Sequence, residues 1–310
     1  MTQSRNGPKL AIHSQKENSE NQYFTDLLTL LLTAVSQQFF HMLILRSLGH
    51  EALAMRIKEV DDADFVSAMQ IMDWLVVNDP RLIVLPHNVF PGACIASILA
   101  AEENTENTIN LALKKSDTVQ SASGRALLDR VRAPRQAYQK WLSAQPCIAT
   151  EPEHDLGTKK AVRALVRKLL ILMDQTMLDA FCYWHENDPA AANTSWRISG
   201  ATMMYLTELA PMSGSISHAN GVPVGITKAS HRTDRVTLET QLIEQCTRTA
   251  KSAAFCCPEQ NMTKIMSEIA NDCERLVDLR RNPAADIKLG HSEVFRDFRK
   301  ARHRVGLAEF

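Results

Sequence analysis

Glycine and proline are scarce in this chain, 11 and 12 among 310 residues. Few positions are left for turns, and long uninterrupted helices are the expectation. A surplus of either charge is also lacking, because Lys plus Arg and Asp plus Glu both number 35. Nucleic-acid binders draw affinity from a basic surplus, so that class is excluded as the principal role. Long apolar runs are missing as well: the stretch from Leu27 to Leu45 is broken by Thr, Ser, Gln and His, and no membrane span is expected. Residues 1–22 have no apolar core of a secretory signal. The seven cysteines are odd in number and form no C-x-x-C, which argues against a disulfide framework or a zinc knuckle. Reduced core cysteines in a cytoplasmic protein are the expectation.

What remains is the composition of a soluble globular chain, 45% hydrophobic and 23% charged. Residues 1–20 read as a mobile polar tail and 21–310 as one helical domain. Phe24, Leu27, Leu28 and Leu31 fall at the spacing of a buried helix face, continued by Val35, Phe39, Met42 and Leu43 up to Leu48-Gly49. Asp61-Asp62 is expected to cap a second helix bearing Phe65, Met69, Met72 and Leu75. RLIVLPHNVFPG, with Pro86 and Pro91, reads as a connector. Helices are expected over 93–115 and over 125–143, the latter kinked at Pro134. After a linker near 146–157, a long helix should run from Lys159 to about Trp184, stopped by Asn187-Asp188-Pro189. A short helix over 199–209 and a loop of unusual length follow, the loop a candidate lid. Amphipathic segments near 235–256 and 260–281 and a basic C-terminal helix complete an all-α reading, a helical bundle.

G-x-S-x-G, G-x-G-x-x-G, the P-loop and H-E-x-x-H are all absent. A di-iron carboxylate bundle needs inward-facing Glu and Glu-x-x-His pairs. The single Glu-x-x-His, Glu151-Pro152-Glu153-His154, lies in a proline-containing linker. Asp62, Glu102, Glu103 and Asp272 come without a histidine on their own helices and read as solvated charges.

His185 stands out. Phe181, Leu178 and Met177 precede it at i−4, i−7 and i−8, which would place the imidazole on an apolar helix face, either as a haem axial ligand or as a core histidine satisfied by a backbone carbonyl. The run LLILMDQTMLDAFCYWHENDPAAANTSWRISGATMMYL resembles the tryptophan 2,3-dioxygenase superfamily of histidine-ligated haem aromatic oxygenases. The resemblance implies a single domain of that fold, with Trp184-His185 at the proximal position and Arg197 to Thr202 as the small-residue turn before Tyr205-Leu206. VSQQFFHMLILRSL resembles the distal wall, and PHNVFPG the connector that carries substrate contacts. Ser36-Gln37 stands where the dioxygenases have a distal His, and Gly200 is the sole glycine of the turn. In its length and its histidine in the connector the chain looks more like the haem-dependent L-tyrosine hydroxylases of natural-product pathways, which hydroxylate the ring with hydrogen peroxide.

That resemblance implies an iron-dependent monooxygenase with non-covalent haem b, since no cysteine has a histidine four residues before it. His185 would be the metal ligand, backed by Trp184. His87 would be the distal catalytic acid–base group unless it is a surface turn histidine, with His41 the alternative. Asn88, Arg197, Ser199 and Thr202 would hold a small aromatic amino acid, although the latter three also fit a helix start with capping hydroxyls. His218 and His231 would sit in the lid. The partner is then the substrate, with no nucleic acid or membrane, and a homo-oligomer is compatible. The competing expectations are an indole or tryptophan dioxygenase of the same fold and a non-catalytic, degenerate ferritin-like bundle.

Overall fold

The computed structural model describes residues 7–80, 82–84, 89, 94–145, 160–213, 226–256 and 260–282. It is mostly helix, as the scarcity of glycine and proline requires. The first unit begins with α1 (Gly7–Ser47) and α2 (Glu51–Asn78) packed as a hairpin. Gly49 turns the chain between them at φ 83, a left-handed conformation that a side chain would strain. The amides of Gly49 and His50 close the end of α1 on the carbonyls of Arg46 and Leu45, at 3.0 and 2.8 Å.

β1 (Ile83–Val84) leads to α3 (Ile95–Lys114), a short 3-10 turn over Ser116–Thr118, α4 (Ala122–Arg132) and α5 (Arg135–Ser143). The break between α4 and α5 falls at Pro134, as expected of a residue without an amide hydrogen. α5 packs back along α3, so α4–α5 serves as one interrupted fourth helix. The second unit comprises α6 (Lys160–His185), α7 (Pro189–Ser213), α8 (Arg232–Cys256) and α9 (Gln260–Arg281). α6 packs on α7 and α8, and α8 on α9. β2 (Ile226–Thr227) pairs antiparallel with β1, Ile83 opposite Thr227 and Val84 opposite Ile226, and ties the units together. One apolar core runs through both, from Phe24, Leu28 and Phe40 through Ile57 and Met72 to Leu169, Ile243 and Leu276.

Several expectations are corrected. α1 starts at Gly7, so helix extends into the segment read as a tail. α2 starts at Glu51, which makes Asp61 an interior residue rather than a cap. Asp188 caps α7, its Oδ1 accepting from Ala191 N at 3.1 Å with Pro189 in the first turn, so the turn expected over 197–202 is mid-helix. β2 was not foreseen, since a strand of two residues has no measurable period. Ser19–Ser47 is long and apolar enough to cross a bilayer, yet 78% of its apolar window is buried against the other helices, as in a core helix. The linker over 146–157, half of the lid loop and the basic C-terminal segment lie outside the described residues.

Candidate functional site

The heart of the first unit is polar. On α3, the buried stripe Ile98, Glu102, Glu106, Ile109 and Leu113 carries two carboxylates at positions where apolar side chains belong. Both are sealed from solvent, Glu102 completely. Glu102 Oε1 lies 2.5 Å from Nδ1 of His41 on α1, itself completely buried, and its Oε2 accepts from the Tyr138 hydroxyl of α5 at 2.5 Å. One turn away, Arg135 Nη1 donates to Glu106 Oε2 at 2.7 Å while Nη2 pairs with Asp64 of α2. Asn110 donates to the other Glu106 oxygen at 3.0 Å. Each of the four helical strands of the bundle thus sends polar side chains to one centre, with Asp61 and Asp64 on α2 and Arg135 and Tyr138 on α5 spaced three residues apart, which puts each pair on one helix face.

Burial dominates the electrostatics. Asp61 is held well above the ordinary carboxylate range by desolvation, reinforced by Asp62 and Asp64. Desolvation also lifts Asp64, but Arg135 opposes it and leaves the group at about 6. The Tyr138 hydroxyl is pushed far up by burial and by Glu102, so it remains a donor. A surface groove of about 650 Å³ between α3 and α5 is lined by Arg135, Asn110, Lys114 and Arg132, among others, but His41, Glu102 and Tyr138 do not reach it.

The second unit has a comparable centre. Asp179 of α6 and Glu239 of α8 are completely buried, and burial raises both above ordinary carboxylates. Ser195 of α7 donates to Glu239 Oε1 at 2.7 Å, and Arg280 Nε of α9 lies 2.7 Å from Glu239 Oε2. Tyr183 stacks beneath two guanidinium groups, Arg235 at 4.6 Å and Arg280 at 4.9 Å. In both centres an arginine from the last helix neutralises a carboxylate from the third.

Those residues singled out in the sequence that are among the described ones lie at separate places in the fold. His185 ends α6 with its side chain 37% exposed, and its Nε2 lies 2.8 Å from Asp73 Oδ1 of α2. The helix turns the preceding Phe181 and Leu178 into the core but leaves the imidazole outside it, with Phe181 packed edge-on to Trp196 at 5.6 Å. Trp184 is half-buried beside Tyr183, Ala191 and Ala192. A haem would need an open apolar wall facing a ring nitrogen, and the surroundings of His185 do not fit it. Ser199 and Thr202 are buried within α7 and donate to the carbonyls of Met173 and Ile198, at 3.3 and 2.8 Å, so their hydroxyls serve helix packing. Arg197 is half-buried on the same helix. His231 is exposed just before α8. His87, Asn88 and His218 lie outside the described residues.

Of the carboxylates read as solvated charges, Glu103 is exposed, while Asp62 pairs with Lys58 at 3.0 Å and Asp272 with Arg275 at 2.9 Å. Glu102 overturns that reading, because its histidine partner comes from a different helix. Its signal was the interruption of an apolar stripe, which reading for same-helix ligand motifs passes over. Among the described residues no group of three or more His, Cys, Asp or Glu is placed to hold a metal ion. No family model matches the chain, and neither curated proteins nor solved structures give a match.

Proposed function

We propose that the chain is a non-catalytic helical scaffold of the ferritin-like kind, with protein cations and hydroxyls in the place that metal ions hold in carboxylate bundles. The observation that carries this reading is the position of Arg135, whose guanidinium lies between Asp64 and Glu106 in the middle of the first four-helix unit. Carboxylate bundles converge Glu and Glu-x-x-His side chains from four helices on two metal ions. Here the fourth helix offers Arg135-x-x-Tyr138, which donates to carboxylates and leaves their oxygens engaged. His41 is likewise committed to Glu102, and neither group lines the groove above them. The buried contacts made across four helices hold those helices in register, while Asp61 Oδ1, Asp64 Oδ2 and Arg135 Nε are left without a hydrogen-bond partner.

A second reading is an enzyme of the tryptophan 2,3-dioxygenase-like fold that hydroxylates L-tyrosine with non-covalent haem. It is favoured by the sequence run around Trp184-His185 and opposed by the exposure of that histidine. The full-length protein, expressed with haem precursor and iron supplied, separates the two by absorption spectroscopy and metal analysis. The scaffold reading expects no Soret band and far less than one iron per chain. A Soret band that shifts on adding L-tyrosine would establish the haem enzyme instead, and stoichiometric iron without haem would make the bundle a working metal centre.

A further inference from the structure

We propose that the groove between α3 and α5 is a binding site for a phosphorylated sugar or polyol. Its volume of about 650 Å³ falls within the span of small-molecule sites, about 300–1,000 Å³. Such sites are mostly apolar, and this one is not. Among the described residues its walls carry three cationic side chains and four carboxamides, with neither a carboxylate nor an aromatic ring. No lining charge repels an anion, and no ring is offered for a nucleobase to stack on.

The two ends of the groove differ. The last turn of α3 and the end of α4 bring Lys114, Ser116 and Arg132 to one end. Arg132 Nη2 donates to Ser116 Oγ at 2.7 Å, which fixes the guanidinium there. Its pair with Asp129, a side chain 77% exposed, is 3.4 Å long and weak. Lys114 has no partner among the described residues. The carbonyls at a helix C-terminus ordinarily repel an anion. Here the Ala112 carbonyl accepts from the Lys115 amide at 3.0 Å and the Tyr23 hydroxyl at 3.2 Å, and that of Leu113 from Arg132 at 3.4 Å. Two cations then balance the double charge of a phosphate monoester, which a single carboxylate does not carry.

The other end is made of carboxamides. Asn107 precedes Lys114 by two turns, about 10 Å along the same face of α3. Across from it stand Gln136 and Gln139 of α5, and all three are exposed without a partner among the described residues. A carboxamide both donates and accepts, which is the pattern that pairs with hydroxyl groups. Between the two ends lies Arg135, whose Nη atoms are held by Glu106 and Asp64 while its Nε is a buried donor without an acceptor. A dianion at one end and hydroxyls about 10 Å away describe a sugar or polyol phosphate.

Titration calorimetry on the full chain tests this with glucose 6-phosphate, ribose 5-phosphate and glycerol 3-phosphate, each beside its unphosphorylated parent and inorganic phosphate. At least one of the three esters should bind more tightly than inorganic phosphate, and the parents should give no heat. Lys114→Gln and Arg132→Gln should each weaken that ester about tenfold to a hundredfold, the loss of a charge-assisted hydrogen bond. Gln139→Leu should weaken the ester and leave inorganic phosphate unchanged. All three side chains are exposed, so the variants should melt with the wild type. A wild type that binds none of the esters, or binds them no better than inorganic phosphate, overturns the proposal. Ester affinity that survives in both cation variants overturns it as well, because the ligand then sits elsewhere.

Discussion

Tyr138 follows Arg135 by three residues on α5, and the two donate to different carboxylates of α3, Glu102 and Glu106, which are four residues apart. The helices run antiparallel, so the later donor meets the earlier acceptor, and one turn of α5 closes one turn of α3.

Removing the guanidinium should therefore be severe. Arg135→Met leaves Asp64 and Glu106 buried with no cation between them, and breaking a buried pair in this way costs about 3–5 kcal/mol. Urea denaturation near neutral pH should show the loss. It should shrink in mild acid, where Asp64, already at about 6 beside Arg135, takes up a proton and sheds its charge. A loss that stays the same at both pH values would assign the effect to packing of the alkyl stem instead.

Asp174 offers a simpler titration. Burial alone lifts it to about 8 from an ordinary value of 3.8. The folded chain then holds a proton that the unfolded chain has released at neutral pH. Stability is greatest below the unfolded value and declines as pH climbs between the two, at roughly 1.4 kcal/mol per unit for one proton. Asp174→Asn should remove that slope and stabilise the protein at neutral pH. Denaturation midpoints of both proteins across this range give the comparison, and parallel profiles would show that Asp174 is ionised in the fold.

Much of the architecture was legible from periodicity. The apolar stripes of α3, α6 and α9 place those helices within a few residues of their observed ends, that of α1 gives only its C-terminal end, and Pro134 marks the break in the fourth strand of the bundle. Starts were less visible where the signal was polar. Asp61-Asp62 looks like a cap in one dimension, yet Asp61 is interior because the helix begins with Glu51. The centre was not legible for a related reason. His41, Asp64, Glu102 and Arg135 are scattered along the chain, and only packing of four helices brings them within hydrogen-bond reach. His185 shows the converse: its spacing from Phe181 and Leu178 suggests a core position, but at the last residue of α6 the neighbouring helix no longer covers it.

His185→Ala should accordingly be mild. The pair with Asp73 joins side chains 37% and 46% exposed, and exposed ion pairs contribute about 0–1 kcal/mol. The variant should fold, melt within a few degrees of the wild type and have the same absorption spectrum. A variant that loses a chromophore present in the wild type would return the haem-ligand role to this residue.

Gly124, in the first turn of α4, is pinned by its surroundings. Ser121 Oγ accepts from the Gly124 amide at 2.9 Å, and the Glu20 carboxylate accepts from the Gln120 and Ser121 amides at 3.3 Å. A Cβ at this position would meet Ser121 Oγ at 2.7 Å and Val119 Cγ1 at 2.8 Å, with Glu20 closer still. Gly124→Ala should cost about 1–3 kcal/mol despite the better helix propensity of alanine, because the cap must open to admit the methyl group. Unfolding curves that show stabilisation would mean that Glu20 can swing aside at no cost.

The most direct test of the closed centre is to reopen it. In R135E/Y138H the fourth helix regains the Glu-x-x-His spacing of a carboxylate bundle, facing Glu102, Glu106, Asp61, Asp64 and His41 across the core. Without metal the variant should be less stable than the wild type, because the substitution adds a buried carboxylate and removes the cation that neutralised its neighbours. Zn(II) or Co(II) should restore stability in proportion to its concentration above the dissociation constant, as linkage requires. Co(II) should also develop the visible absorption of a protein-bound ion, whereas the wild type should show neither response. R135M/Y138F serves as the control that removes the donors without supplying ligands. Metal-dependent stabilisation confined to R135E/Y138H would establish that arginine and tyrosine stand in the ligand positions. Equal responses in the wild type would show that the native centre already admits a cation. A folded R135E/Y138H that ignores both metals would mean that the helices are too close for an ion, and the ferritin-like reading of the first unit would fall with it.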